Sequence, residues 1–461
     1  MSNLAKKNLS QSIDIIIVGG GLAGLSMAAA LSSLPVNITI VESAQSTFDS
    51  AEKTETRPEE KEYSPSFDDR ALALSLASIK ILHNIGVLAI EDVASLTPIE
   101  HIHVSDKGHI GMLRMTAAEV GETDLGKVIP APLLGEKLEQ FIVKANFPAQ
   151  INVFDEASVQ AVHHHADRVD VHVQKGDKEQ LLSAKTIILA DGGRSSIADQ
   201  IGLPASTTDY EQIAVLANVA VDKAHQNTAY ERFTDTGPIA LLPLRQNEFK
   251  LVWTTLPQDQ EMRLDCSDDE FLSALQQRFG FRAGSFTKVG RRVAYPMRST
   301  KRAQIVSGRV ALIGNAAHSL HPIAGQGFNL GLRDVACLAE ILAEQLIQQA
   351  DLGDVTALMR YQSWREQDIQ RTAGFTDKLV KIFSTSAKPM VILRSAGLLA
   401  LDRQPQFKRE FMRKLMGVSG QRFKLLAGVP LMPIESIQSA ELVNASINCL
   451  LYTSPSPRDR G

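Results

Sequence analysis

The sequence predicts an α/β protein: a Rossmann-like domain split in two, an antiparallel-sheet domain inserted into it, and a helical region at the C-terminal end. Three observations carry this. The apolar run Ile13–Val18 closes at Gly19-Gly20-Gly21 and feeds a helical pattern up to Leu31. A second apolar run, Val310–Ile313, closes at Gly314. Beyond it Gly325-Gln326-Gly327 opens a long helical pattern carrying Leu330, Val335, Leu338 and Leu342. Between the two, Ile213–Val221, Ile239–Leu244 and Phe249–Thr255 alternate as strands of an antiparallel sheet do.

Length and composition agree with that reading. The 461 residues suffice for two domains, or for one large domain with insertions. An apolar content of 44% and a charged content of 22% belong to a soluble globular protein. A net charge of -4 gives no reason to expect nucleic acid as a partner. Cys266, Cys337 and Cys449 are scattered without metal-ligand spacing, which suits a reducing, cytoplasmic setting. His163-His164-His165 reads as a solvated hairpin turn, because three consecutive strand residues cannot all face one ion. No metal site is expected. Lys6 and Lys7 precede the first apolar run, but the run is too short for an export signal, and nowhere do 18 uncharged apolar residues follow one another.

Taken in order, Gly19, Gly21 and Gly24 fill the pattern G-x-G-x-x-G, and Ile38–Val41 is a second strand ending at Glu42. Each part has a physical task in dinucleotide binding: Gly19 makes the tight turn, Gly21 admits a pyrophosphate, and Gly24 lets helix pack on strand. Glu42, 21 residues beyond Gly21, is placed to accept hydrogen bonds from a ribose diol. Residues 45–67, rich in Glu, Lys, Thr, Ser and Pro, read as a surface insertion. Residues 69–86 read as a helix closed by Gly86, with Arg70 at its entrance either on a phosphate or cofactor ring or simply solvated. Ile99–Met115 alternates like a hairpin, Leu133–Ala145 has helical spacing, and residues 151–182 hold three short strands. A buried strand then runs from Thr186 into the turn Asp191-Gly192-Gly193.

These elements divide the chain into a discontinuous nucleotide-binding domain, 12–200 and 288–345, a substrate domain of sheet, 205–287, and a helical region, 346–428. Pro389–Leu401 is apolar but interrupted by Arg394. Packing on the core is its first reading; shallow membrane contact beside Arg403, Lys408, Arg409, Arg413 and Lys414 is the second. Residues 446–461 have nothing to pack, and Leu451–Arg460 looks like translated sequencing-adapter read-through, so they are set aside.

Gly19 to Gly24, then Asp191-Gly192, then Gly314 with His321-Pro322 and Gly325-Gln326-Gly327 resemble, in that order, the class A flavoprotein aromatic hydroxylases. Their fold is typified by para-hydroxybenzoate hydroxylase, and the resemblance covers most of residues 12 to 345. The wording from Gly314 to Asp334, with Asn315 where most relatives carry Asp, is similar to the ubiquinone-biosynthesis branch, nearest to its 2-polyprenyl-6-methoxyphenol hydroxylases. Leu415–Gly428 is similar to the ending of that branch. The resemblance implies FAD, with its pyrophosphate at Gly19, Gly21 and Gly24 and its adenosine ribose on Glu42. It implies Asn315 on the ribityl chain, and Pro322, Gly325, Gln326, Gly327, Phe328 and Asn329 along the flavin ring. Arg70 joins this set, and Asp191 and Gly192 would meet both FAD and NAD(P)H.

The implied reaction is NAD(P)H- and O2-dependent hydroxylation of a prenylated phenol, with NAD(P)H bound transiently, since no second dinucleotide fold is present. A sibling hydroxylase acting at another ring position, a flavoprotein prenyl reductase, and a flavin-bearing scaffold subunit of a quinone-synthesis complex remain open alternatives. His318 and His321 are the candidates for a base acting on the phenol, each equally well a structural residue, and the base stays unassigned. The expected setting is cytoplasmic, with contact at the inner face of the membrane and membership of a ubiquinone-synthesis complex left open.

Overall fold

Two large sheets, a small three-stranded one and a shell of helices build the described residues, and the edge where the two large sheets meet holds the motif residues. The computed structural model describes residues 12–45, 70–144, 147–320, 325–384, 388–420 and 422–433; within them the side chains of 144, 373, 375–384 and 388–391 are left aside. His321, Pro322, almost all of the 45–67 stretch and the 446–461 tail lie outside the described residues.

In the first sheet five strands run parallel, in the order Val310–Leu312, Lys178–Leu189, Ile13–Val18, Asn37–Val41 and Gln150–Phe154. Such strands are covered on both faces and so read as continuous apolar runs. Ile15, Ile16, Ile17, Ile187 and Val310 are accordingly buried, beneath the helices Leu22–Leu31, Ala131–Lys144 and Gln326–Ile347. Because the strands are parallel, their carboxyl ends share one edge, the usual ligand edge of such sheets. Gly19, Glu42, Asp191 and Gly314 follow four of these ends, so residues almost 300 positions apart come together there. The hairpin Ala157–His164/Val169–Lys175 extends the sheet antiparallel; with Gln150–Phe154 it makes three strands, and the strand expected from Thr186 begins earlier, as Lys178–Leu189. His163 and His164 lie at the end of one arm of that hairpin, and His165 turns the chain beside Asp170, 2.8 Å away.

The second sheet has nine strands, eight of them in the order His318–Ser319, Val293–Arg302, Ala205–Val221, Glu248–Thr255, Gly237–Pro243, Thr228–Thr234, His101–Asp106 and Met112–Thr116, while Phe286–Val289 joins Ala205–Val221 from the side. It is therefore larger than the 205–287 segment. The 101–116 hairpin enters through a parallel pairing of Thr228–Phe233 with His101–Asp106, a contact across more than a hundred residues. One face packs Trp253 and Phe249 against Phe271 and Phe279 of the helix Asp268–Phe279. The opposite face looks into a cavity.

One expected helix is only half helical. Ala71–Ser75 is a strand paired with Gly126–Pro130, and the helix occupies Leu76–Ile85, closed by Gly86 in the left-handed region at φ 97°. Two contacts decide this. The Ser75 hydroxyl accepts from the Ser78 N–H as an N-cap. Asn329, from the start of a distant helix, accepts from the Ser75 N–H at 2.8 Å and donates to the Ala73 carbonyl at 2.8 Å.

The C-terminal region is helical, as expected: Val355–Ser384, Lys388–Arg403, Pro405–Leu415 and Lys424–Ala427. No helix of the described residues is long and apolar enough to cross a membrane. Arg394, the residue that interrupts the apolar run, is buried against Asp106 of the 101–116 hairpin, with two charge-assisted contacts of 2.7 and 3.0 Å. Around this pair Leu113 and Met115 pack against Met412 and Met416. Arg394→Ala leaves the Asp106 carboxylate buried and uncompensated, and is expected to cost about 3–5 kcal/mol in chemical denaturation. The double variant Arg394→Met with Asp106→Leu, which removes both charges, should lose clearly less. Equal losses would show that the pair does not tie the helix to the sheet.

Candidate active site

A single cavity of about 1010 Å³ runs from the glycine edge of the first sheet across the open face of the second. That is at the upper end of the roughly 300–1,000 Å³ common for small-molecule and cofactor sites. Gly19, Gly21, Glu42, Arg70, Asp191, Gly192, Asn315, Gly325, Gln326, Gly327, Phe328 and Asn329 all line it. Gly24 does not; its task is contact inside the protein, since a Cβ there would lie 1.9 Å from the Gly19 carbonyl oxygen.

Two helices begin at the cavity, after Gly21 and after Gly325, and neither has a side-chain N-cap. Uncapped N-termini offer unpaired N–H groups and the positive end of a helix dipole, an arrangement suited to phosphate or to an electron-rich ring edge. A Cβ placed on Gly21 or on Gly327 would meet no protein atom within 4 Å; it would project into unfilled space. Asn315 is exposed, and among the described residues its amide has no hydrogen-bond partner. Open helix ends, bare glycines and an unengaged amide fit FAD, a cofactor with both a pyrophosphate and a polar chain.

The acidic residues are already partly engaged. Glu42 accepts from the Gly20 N–H at 2.5 Å through Oε2, and from the Ala44 N–H at 2.9 Å and the Ser43 hydroxyl at 3.2 Å through Oε1, so it pins the glycine turn to the second strand; Oε2 still has capacity for a ribose hydroxyl. Asp191 accepts from the Gly193 and Ser195 N–H groups and from the Ser195 hydroxyl, which shapes its own turn. Asn329 has no side-chain capacity left for a ligand. Its oxygen accepts from Ser75 N–H and Ser78 hydroxyl, and its nitrogen donates to Ala73 and Gly325 carbonyls at 2.8 and 2.7 Å. Only its backbone is available to a flavin ring.

His318 is not among the residues lining the cavity. It is buried, and its Nε2 lies 2.7 Å from Asp334 Oδ2. Asp334 also accepts from the Gly314 N–H at 2.9 Å and from Arg365 Nε at 2.7 Å, and Arg365 in turn bonds Asp368. Burial pushes the Asp334 carboxyl up, but His318 and Arg365 outweigh it and hold the carboxyl below the usual range. Of the two readings left open for His318, base or structural residue, these contacts favour the structural one, a brace for the Gly314 turn.

The sheet wall of the cavity carries three charged-type residues that sequence reading passes over, Glu231, Lys250 and, farther along the sheet, Arg298. Glu231 and Lys250 stand in strands whose alternation marks one face as apolar, and nothing local says that this face looks into a cavity. Glu231 is flanked across the strands by Val104 and Ala240, and burial alone pushes its carboxyl up to about 8. At the far end Leu113, Met115, Leu398, Leu401, Phe411 and Leu415 make the walls apolar.

With this geometry in view, the chain belongs to the FAD-binding-domain family, whose profile matches residues 12–376. It is 32% identical over 421 residues to ubiquinone hydroxylase UbiL of Rhodospirillum rubrum, covering 91% of this chain and 93% of that one. It is 28% identical over 409 residues to 3-demethoxyubiquinol 3-hydroxylase of Escherichia coli, covering 89% of this chain and 100% of the relative. Among solved structures, p-nitrophenol 4-monooxygenase PnpA of Pseudomonas putida superposes with a TM-score of 0.70 at 19% identity, over 89% of this chain and 100% of that one. The fold is that of the class A flavin monooxygenases, and the protein is an FAD-dependent monooxygenase.

Two substitutions test the cofactor placement. The Cβ of Gly21→Val meets no protein atom within 4 Å beyond its chain neighbours, and φ -74° is open to any residue. The variant should fold with stability within about 1 kcal/mol of wild type yet purify without flavin absorbance. Asn315→Leu should leave the melting temperature in place and weaken FAD, titrated by flavin fluorescence, by about 1–3 kcal/mol. Unchanged flavin affinity in both variants would remove these residues from the site.

Proposed function

We propose that the protein hydroxylates a phenol ring bearing a prenyl chain in ubiquinone biosynthesis, with 2-polyprenyl-6-methoxyphenol as the first-choice substrate. The observation that carries this reading is the shape of the cavity: one end is a glycine-lined dinucleotide edge, the middle is a sheet wall with polar groups, and the other end is apolar. A ring with a long hydrocarbon tail needs that sequence of surfaces. The names of the Rhodospirillum and Escherichia relatives support the same class.

In this reading Gly19, Gly21 and the first helix hold the pyrophosphate, Glu42 the ribose, and Asn315 the ribityl chain. Backbone from Gly325 to Asn329 lies along the flavin, with Arg70, Asp191 and Gly192 beside it. Bound FAD supplies the redox chemistry, taking electrons from NAD(P)H and activating O2. The chain's residues orient the ring and keep water from the reacting atoms. The apolar end, walled by Leu398, Leu401 and Phe411, takes the start of the tail.

The tail suggests where the substrate comes from. Ile392, Leu393 and Phe407, on the two helices that wall the apolar end, are 69%, 64% and 67% exposed. Exposed Arg403, Arg409, Arg413 and Lys414 accompany them. We read this as a surface for peripheral contact with an anionic membrane. Lys408 leaves that set, because it is buried and paired with Glu119 at 2.9 Å.

The test is reduction with NAD(P)H under anaerobic conditions in the presence of a prenylated methoxyphenol, then exposure to isotopically labelled O2 and mass spectrometry of the phenol. One labelled oxygen on the ring is expected, para to the hydroxyl for the first-choice substrate. Label at another carbon identifies a sibling hydroxylase. Unlabelled product with a saturated chain would replace hydroxylation by prenyl reduction, and no turnover of any phenol would leave a scaffold subunit.

A further inference from the structure

We propose that Glu231 is a catalytic residue, the general base that takes the proton from the substrate's phenolic hydroxyl. The inference rests on the reading of the substrate as a phenol and adds the group that activates it. Glu231 lies on Thr228–Thr234, in the middle of the sheet wall of the same cavity that the glycine edge opens into. Its cross-strand neighbours there are apolar: Val104 on one side, Ala240 on the other, and Val252 beyond Ala240. No hydrogen bond or ion pair to it is found among the described residues. A carboxyl in such surroundings, without a partner, is costly unless it serves a ligand.

The other titratable groups of this sheet that line the cavity are Tyr230, Lys250, Tyr295 and Arg298. Lys250 stands two strands away on Glu248–Thr255, while Tyr295 and Arg298 stand on Val293–Arg302, farther along the sheet. The intervening strand Gly237–Pro243 presents Ala240 and Leu242, and His101–Asp106 presents Ile102 and Val104. The helix Val355–Ser384 also packs against Thr228–Thr234, and no described side chain of it pairs with Glu231. Among the described residues nothing charged offsets the desolvation, which is why the carboxyl is pushed up from 4.5 to about 8. A base with its pKa near the working pH is well matched to a phenol.

The step is a proton transfer. The phenolic O–H bond breaks, a new O–H bond forms on a Glu231 carboxylate oxygen, and the electron pair left on the ring oxygen is shared with the ortho and para carbons. Those carbons become the nucleophiles that accept an electrophilic oxygen. Once oxygen is on the carbon, that carbon's C–H bond breaks and its proton leaves to solvent, the electron pair restores the aromatic ring, and Glu231 returns its proton to the ring oxygen and is again a carboxylate.

The experiment compares holoenzyme of wild type and Glu231→Gln, a swap of nearly equal size, after confirming equal flavin content. With a prenylated methoxyphenol, wild-type kcat/KM should rise with pH and level off near 8. Glu231→Gln should be slower by roughly 10²- to 10⁴-fold, with that limb gone. A second measurement needs no turnover: binding of 2-allyl-4-nitrophenol, followed through its absorbance above its own pKa. In wild type the ionised Glu231 repels the nitrophenolate, so its Kd should climb with pH above about 8, by up to about tenfold per unit. In Glu231→Gln the Kd should stay level. Equal kcat/KM profiles, or a wild-type Kd for the nitrophenol that ignores pH, overturn the assignment. Absence of turnover with every prenylated phenol overturns the substrate reading instead, and the binding series still decides whether Glu231 addresses a phenol oxygen.

Discussion

The arrangement depends on one buried carboxylate. Asp334 accepts from the Gly314 N–H, from His318 and from Arg365, so it joins a turn and the two-residue strand that follows it to a helix farther along the chain. A charge with no exposed surface is tolerable only when such partners surround it, and losing one leaves the others uncompensated. The chain of pairs continues from Arg365 to Asp368 and from Asp368 to Arg333, which returns to the helix carrying Asp334. Tyr361 adds a bond to the Leu312 carbonyl, one strand residue before the turn. The Gly314 turn and the helices Gln326–Ile347 and Val355–Ser384 are thus one rigid unit. Asn315 is held out from it toward the cavity.

Asn329 makes a second such tie on the other side of the same helix start. It closes Ala71–Ser75 onto the Gly325 turn with four hydrogen bonds that use its whole amide. Together Asp334 and Asn329 fix the helix N-terminus from both sides. Position here is enforced by polar contacts, which are directional, where apolar packing alone would allow sliding.

These two ties also explain what a single sequence reveals and what it hides. The glycine turns are legible because their requirements are local: Gly19, at φ 106°, and Gly24, pressed on the Gly19 carbonyl, admit no other residue. Parallel strands are legible because burial on both faces makes them uniformly apolar. Ala71–Ser75 was beyond reach, since Ala-Leu-Ala-Leu-Ser suits helix and strand alike, and its fate is settled by residues 126–130 and by Asn329, 254 positions away from Ser75. His318 stands next to the right motif but turns into the core, because its partner Asp334 lies there. Glu231 is hidden for the opposite reason: period two says which face it shares with Ala229 and Phe233, and only the assembled sheet says that this face meets a cavity.

The contrast between Gly21 and Gly24 reaches beyond this fold. At Gly24 a side chain collides with backbone, so variants there lower the amount of folded protein, and any screen that counts surviving molecules detects them. At Gly21 and Gly327 a Cβ meets nothing within 4 Å beyond its chain neighbours. Variants at those two positions are expected to keep the fold. Three residues apart in one motif, the same kind of change is expected to yield either a missing protein or a folded one that differs only in the space left beside the first helix.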